Sequence, residues 1–151
     1  MGISEDIKQK QFQSEHHKAL INLIYTHNHV INEMNIFFKS IDITRQQYNV
    51  LRILRGQYPN SCSINLIKER MLDKMSDASR IVQRLSVKGL VDRENSDHDR
   101  RAVEVTISKN GLNLLTNTDE KVRDFSHLLE NLDHNEAKLL NTLLDKIRIA
   151  T

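Results

Sequence analysis

Hydrophobic positions between residues 20 and 38 advance in alternating steps of four and three: Leu20, Ile24, His27, Ile31, Met34 and Phe38, with a histidine at one step of the row. That spacing is the seam of a helix packed along another helix, and it predicts a helix over about 14–40. A second apolar row, Leu23, Val30 and Phe37, runs beside the first. A helix apolar on so much of its circumference needs more cover than one small domain readily gives. A partner subunit would supply it.

Thr44 is an N-cap for a second helix, with Gln47 at the reciprocal position three residues on. Val50, Leu51 and Leu54 form its buried side, Tyr48 and Ile53 lie at the margins, and Gly56 and Pro59 end it. Ser63 caps a short third helix that turns Ile64, Ile67 and Met71 inward. Leu72, Asp73 and Lys74 break the pattern. Ser76 then caps a fourth helix running to about residue 88, with Ala78, Ile81, Val82 and Leu85 on one stripe and Gly89 as the C-terminal stop. Alternation predicts strands over 90–94 and 102–107, the second with Val103, Val105 and Ile107 on one face and Glu104 and Thr106 on the other. A polar loop joins them. Ser108 caps a long fifth helix with Leu115, Val122, Phe125, Leu129 and Leu132 as its seam, and a sixth begins near Asp133 and presents Leu140, Leu143, Leu144 and Ile147. The pattern gives one domain of six helices and a small hairpin, a mainly α fold, without internal repeats or a linker.

Composition narrows this further. Four glycines and one proline in 151 residues are too few for the turns of a β-sandwich or an α/β enzyme. The net charge of +2 is unevenly spread. Residues 45–101 hold 12 Lys/Arg against 7 Asp/Glu, whereas the rest holds 10 against 13. A basic centre between acidic flanks suits a module that meets a polyanion, with chance clustering as the alternative. One cysteine, Cys62, excludes an intrachain disulfide. No apolar run reaches the ~18 residues of a membrane span, and the first 13 residues lack the apolar stretch of a signal peptide, so a cytoplasmic location is expected.

Two short helices, a tight turn and a polar flank on the second make a helix-turn-helix candidate. Its second helix must bury one side and offer hydrogen-bond donors on the other. Arg reaches guanine with two bonds, Gln reaches adenine, and Ser is permissive. Ser76, Ser79, Arg80, Gln83 and Arg84 meet that demand, and Asp77 either accepts from cytosine or favours the helix N-terminus. The plainer alternative is a solvated surface helix. The loop that follows carries Asp99, Arg100 and Arg101. An arginine there can enter a narrow, electronegative minor groove, with Asp99 holding a neighbouring Arg by a charge-assisted bond. Its alternative is a solvated turn.

Here the sequence resembles the MarR (multiple antibiotic resistance regulator) family of winged-helix regulators. The resemblance is carried by residues 64–111: Lys88-Gly89-Leu90 at the turn, Asp99-Arg100-Arg101 in the wing, then Ser108-Lys109-Asn110-Gly111, with Ile107-Ser108 where Leu-Thr is usual. It implies a winged helix-turn-helix lobe over 44–111 with a short β-hairpin wing. Segments 1–43 and 112–151 would be dimerisation helices that intertwine with those of a second copy in a triangular homodimer. It further implies a sequence-specific transcription regulator acting as a repressor on double-stranded DNA. Its recognition helices would occupy successive major grooves of a palindromic operator, with the wings in the flanking minor grooves. Ser76, Asp77, Ser79, Arg80, Gln83 and Arg84 would be groove contacts, and Asp99, Arg100 and Arg101 the wing.

Many relatives are released from DNA by small aromatic or phenolic anions. Tyr25, His27, Phe37, Phe38 and Tyr48 would line such a site, or else form dimer core. Some relatives sense peroxide through a cysteine in the first helix, where this chain has none, and Cys62 is expected to be a bystander. His16, His17, His27, His29, His127 and His134 lack the close spacing of a structural zinc site, so neither metal nor cofactor is expected. Nothing resembles a phosphate loop, a nucleophile elbow or a paired acid and base, which argues against an enzyme. The competing function is a winged-helix protein adaptor that does not bind DNA.

Overall fold

The computed structural model describes residues 2–99 and 101–149, Asp124 by its backbone alone. The chain divides into two compact units, Met1–Tyr48 and Asn49–Thr151. In order, the elements are α1 (Ile3–Asp6), α2 (Glu15–Ser40), α3 (Arg45–Gln57), β1 (Cys62–Ser63), α4 (Ile64–Arg70), α5 (Ala78–Val87), β2 (Val91–Asn95), β3 (Val103–Ile107), α6 (Lys109–Arg123), a 3-10 segment (Asp124–Leu129) and α7 (His134–Ile147). Helix α3 begins in the first unit and continues into the second. Among the described residues no helix is long and apolar enough to cross a membrane.

In the first unit, Ser14 Oγ accepts the His17 N–H at 3.1 Å and starts α2 where the polar-to-apolar switch predicts it. Phe38 is the one residue of this 26-residue helix that is buried. Its ring lies 4.6 Å from that of Tyr48 and 5.2 Å from that of Phe37. Leu20, Leu23, Ile24 and Ile36 remain exposed. The helix therefore forms over the predicted span, and most of its apolar surface finds no cover within the first unit. The cap of α3 is reciprocal: Thr44 Oγ1 accepts the Gln47 N–H at 3.0 Å, and Gln47 Oε1 accepts the Thr44 N–H at 3.1 Å.

The second unit holds most of the core. Val50, Leu51 and Leu54 of α3, Ile67 of α4, Met71 just after it, Val82 and Leu85 of α5, Val105 of β3 and Leu115 of α6 are all buried. Each such aliphatic side chain contributes on the order of 1.5–3 kcal/mol by leaving water. Helix α4 packs on α5, β1 and β3, and α5 packs on β2. The sheet order is β1-β3-β2, antiparallel throughout, with Arg93 opposite Val105, Glu94 opposite Glu104 and Cys62 opposite Val105 on its other side.

Several expectations are corrected. The hairpin is a three-stranded sheet, because the segment before α4, read as loop, pairs with β3 over two residues. Helix α3 ends at Gln57, between Gly56 and Pro59 as expected. The long fifth helix ends at Arg123 and tightens to 3-10 over Asp124–Leu129, so the seam through Leu129 and Leu132 is not one continuous helix face. A short N-terminal helix, α1, was not expected at all; its Ile3 is buried. Helix α7 starts as predicted, with Asp133 and Glu136 closing a capping box, yet none of its residues is buried.

Candidate nucleic-acid interface

Helix α5 presents two unlike sides. Ala78, Val82 and Leu85 are buried against the unit, while Ser79, Arg80, Gln83 and Arg84 are exposed. The helix starts at a cap one residue later than read from sequence. Asp77, rather than Ser76, is the N-cap, and its Oδ1 accepts the Arg80 N–H at 3.1 Å. Both residue types cap well. Here the carboxylate takes the position, where its charge also favours the positive end of the helix. Ser76 is only partly exposed, and its Oγ is buried without a hydrogen-bond partner among the described residues. Its hydroxyl is thus turned away from the outward face that holds Ser79, Arg80, Gln83 and Arg84.

The end of α5 is built to reverse direction. Gly89 adopts φ +72°, its N–H bonds to the Ser86 carbonyl at 3.0 Å, and the Leu90 N–H bonds to the Leu85 carbonyl at 3.0 Å. This paired pattern closes a helix with a left-handed residue and suits glycine. The chain enters β2 one residue after Leu90.

The wing loop between β2 and β3 is tied by backbone bonds, Ser96 N–H to Ala102 O at 2.9 Å and Ala102 N–H to Asp99 O at 3.0 Å. Asp99 Oδ1 accepts the Arg101 backbone N–H at 2.9 Å. That bond closes a local turn, which a short carboxylate reaches easily. Arg101 is exposed at the end of that turn. Arg100, assigned to the wing from sequence, lies outside the described residues.

The two faces of the wing sheet differ in charge. Asp92 and Glu94 of β2 and Glu104 and Thr106 of β3 line an open cleft of about 480 Å³ with Asp97, His98 and Ser61. Glu94 and Glu104 stand directly opposite each other, and Ser61 Oγ donates to Glu104 Oε2 at 2.9 Å. A cleft lined by four carboxylates, three on the sheet face and Asp97 in the loop, repels a polyanion. Arg93, whose cross-strand partner is Val105, belongs to the other face. Among the described residues no group of three or more His, Cys, Asp or Glu is arranged to hold a metal.

The residues expected to line an effector site are not gathered together. Phe38 and Tyr48 are stacked and buried, whereas Tyr25 and His27 lie on exposed positions of α2. Tyr48 Oη and Arg45 Nε, three residues apart in α3, are both buried without a hydrogen-bond partner among the described residues. Sequence reasoning passed over Arg45, which carries no local signature. Cys62 is buried in β1, and loss of water around it pushes its thiol pKa up; Arg70 pulls it down and Glu104 up by smaller amounts. A thiol in that setting is inert.

The MarR family model matches residues 41–102, which spans α3 to the wing. The HTH-type transcriptional repressor IacR of Pseudomonas putida is 29% identical over 126 residues, covering 83% of this chain and 74% of that protein. A MarR transcription factor from Planctomyces limnophilus is 30% identical and superposes with a TM-score of 0.70, over 93% of this chain and 100% of that one. A cysteine variant of MarR from E. coli, complexed with operator DNA, shares the fold at 24% identity with a TM-score of 0.73, over 83% of this chain and 90% of that one. So does the organohalide-sensing regulator RdhR in its 2,4-dichlorophenol-bound form, at 16% identity with a TM-score of 0.80, over 93% of this chain and 85% of that one. The match across the winged helix, and the identity held over nearly the full length of a solved relative, place this chain in the MarR family of non-enzymatic transcription regulators.

Proposed function

We propose that the chain is a repressor that reads a palindromic operator as a homodimer, with α5 in the major groove and the 96–102 loop over the adjacent minor groove. The observation that carries this is the division of α5. Its aliphatic stripe is buried, and Ser79, Arg80, Gln83 and Arg84 stand together in solvent immediately before an arginine-bearing wing. Asp77 serves chiefly as the helix cap. The acidic face of the wing sheet disfavours phosphate, while Arg93 lies on the opposite face and Arg101 is exposed in the loop.

The homodimer reading is supported by uncovered aliphatic rows on α2 (Leu20, Ile24) and α7 (Leu139, Leu143, Ile147). The operator-bound relative and the repressor IacR support the DNA reading.

Selection of duplexes from a random pool, followed by gel-shift titration, tests it. A recovered palindrome with half-sites about one helical turn apart is expected. Arg80→Ala or Arg84→Ala is expected to weaken the selected site by about 1–3 kcal/mol and to relax one base position. Arg101→Ala is expected to weaken all duplexes alike and to lower the salt slope by about one. Unchanged affinity in all three variants, or a monomer in sedimentation, would overturn the reading.

Release by a small aromatic anion belongs to the same proposal. Two buried polar atoms without a hydrogen-bond partner among the described residues, Tyr48 Oη and Arg45 Nε, lie close in sequence to the Phe38–Tyr48 ring pair, and a dichlorophenol-bound relative shares the fold. A panel of aromatic acids in thermal-shift and DNA-competition assays tests it; absence of any effect would remove this part alone.

A further inference from the structure

Among the described residues, the three most exposed of the large apolar side chains lie at the two ends of α5: Leu72 (85%) and Met75 (94%) in the turn before it, and Val87 (85%) in its last turn. The exposed aliphatics of α2 and α7 repeat along a helix face, as a packed seam demands, and these three belong to neither row. The turn that carries the first two is braced. The Leu72 N–H donates to Asn49 Oδ1 at 2.9 Å, the Met75 N–H to Asp73 Oδ1 at 3.0 Å, and the Ser76 N–H to the Asp73 carbonyl at 3.2 Å. Met75 is thus displayed from a fixed backbone, two residues ahead of the Asp77 cap.

Position and chemistry single out Met75 among the three. When a helix-turn-helix docks, the N-terminal residues of the second helix approach the base edges. Val87 is about 13 Å further along the axis from Ala78 and is short and stiff. Leu72 stands five residues before the cap, next to the end of α4. Met75 is near the helix start, and its unbranched side chain has reach and adapts its shape. A thioether donates no hydrogen bond and accepts only weakly. The apolar feature that the major groove offers it is the thymine 5-methyl group.

We propose that Met75 is a specificity residue that reads one thymine 5-methyl group in each half-site, beside the bases met by Ser79 and Arg80. This rests on the DNA-binding reading above and adds to it a base preference made without hydrogen bonds.

The test uses the full chain and the consensus duplex it selects from a random pool. Each thymine is replaced in turn by deoxyuridine, which removes only the methyl group. At one position per half-site the replacement is expected to weaken wild-type binding roughly three- to tenfold. It is expected to leave Met75→Ala unaffected, while Met75→Leu keeps the wild-type response. Unchanged thermal melting of both variants shows that the fold is intact. Equal losses for wild type and Met75→Ala at every thymine overturn the inference and leave the DNA-binding reading standing. So does a loss in Met75→Ala that is the same on every duplex, which identifies a contact to sugar or phosphate, or a consensus without thymine in its half-sites. Failure to enrich any duplex overturns the DNA-binding reading, and this inference with it.

Discussion

The Ser108 hydroxyl donates to the Gly89 carbonyl oxygen at 2.7 Å, and so ties the strand-to-helix junction at the foot of the wing to the end of α5. Ser108 Oγ also accepts the Gly111 N–H at 3.1 Å and caps α6. Ser108→Ala removes both bonds at once. A loss of about 1–2 kcal/mol is expected, read as a fall of roughly 2–8 °C in a melting curve at fixed protein concentration. Ser108→Thr, which retains the hydroxyl, is expected to recover most of it.

Gly111 and Gly56 are expected to respond to alanine with opposite signs. A Cβ on Gly111 would stand 2.3 Å from the Leu90 carbonyl oxygen and 2.7 Å from Ile107 Cγ1, so α6 would have to move off the sheet. Gly111→Ala is expected to cost roughly 2–3 kcal/mol. At Gly56, inside α3, a Cβ meets nothing within 4 Å. Gly56→Ala is expected to stabilise by about 0.5–1 kcal/mol through helix propensity. Urea denaturation of the two variants beside wild type checks both signs.

Arg55 and Asp119 join α3 to α6 by two parallel bonds, Nη1 to Oδ2 at 2.9 Å and Nη2 to Oδ1 at 3.0 Å. The hydrogen bonds from Arg55 hold the Asp119 carboxyl below its usual pKa, against a smaller rise from desolvation. A lowered folded-state pKa stabilises fully above the unfolded value of about 3.9 and is lost as pH falls through the folded value. Both side chains keep about a third of their surface in water, which screens the pair. Asp119→Asn is expected to cost about 0.5–1 kcal/mol at pH 7. The gap to wild type is expected to narrow below about pH 4. Denaturation curves at pH 7, 5 and 3 measure it, and a gap undiminished at pH 3 would assign the loss to packing.

Cys62 is expected to resist thiol reagents in the folded protein, because it is buried and its pKa is raised. Reaction with an aromatic disulfide reagent is expected to be slow in buffer and fast in urea. Fast native reaction would contradict the burial of β1.

Local signals in the sequence were read well, and long-range ones were not. Ser14, Thr44 with Gln47, Ser63, Ser108 and Asp133 with Glu136 all stand at helix starts, because a cap is decided by a few adjacent residues. Ser76 and Asp77 are equally good caps in adjacent positions, and only the packing of α5 chooses between them. Strand β1 is two residues long and exists because Val105 and Glu104, 43 and 41 positions further along the chain, pair with Cys62 and Ser63, which no local pattern announces. The exposed residues of α5 were legible from their 3.6-residue spacing. Asp99 lies in the loop the sequence assigned it to, and there it also accepts a backbone N–H, a bond that residue type alone does not announce.

Ser63 has two positions in the architecture at once. It pairs with Glu104 at the edge of the wing sheet, and its hydroxyl caps α4 by accepting the Leu66 N–H at 3.1 Å. The first helix of the helix-turn-helix is thereby hinged on the ribbon that follows the second. Ser63 adds a hydrogen-bonded joint to the packing of α4 on β1 and β3 and of α5 on β2, so the ribbon and the helix pair are built to dock as one piece.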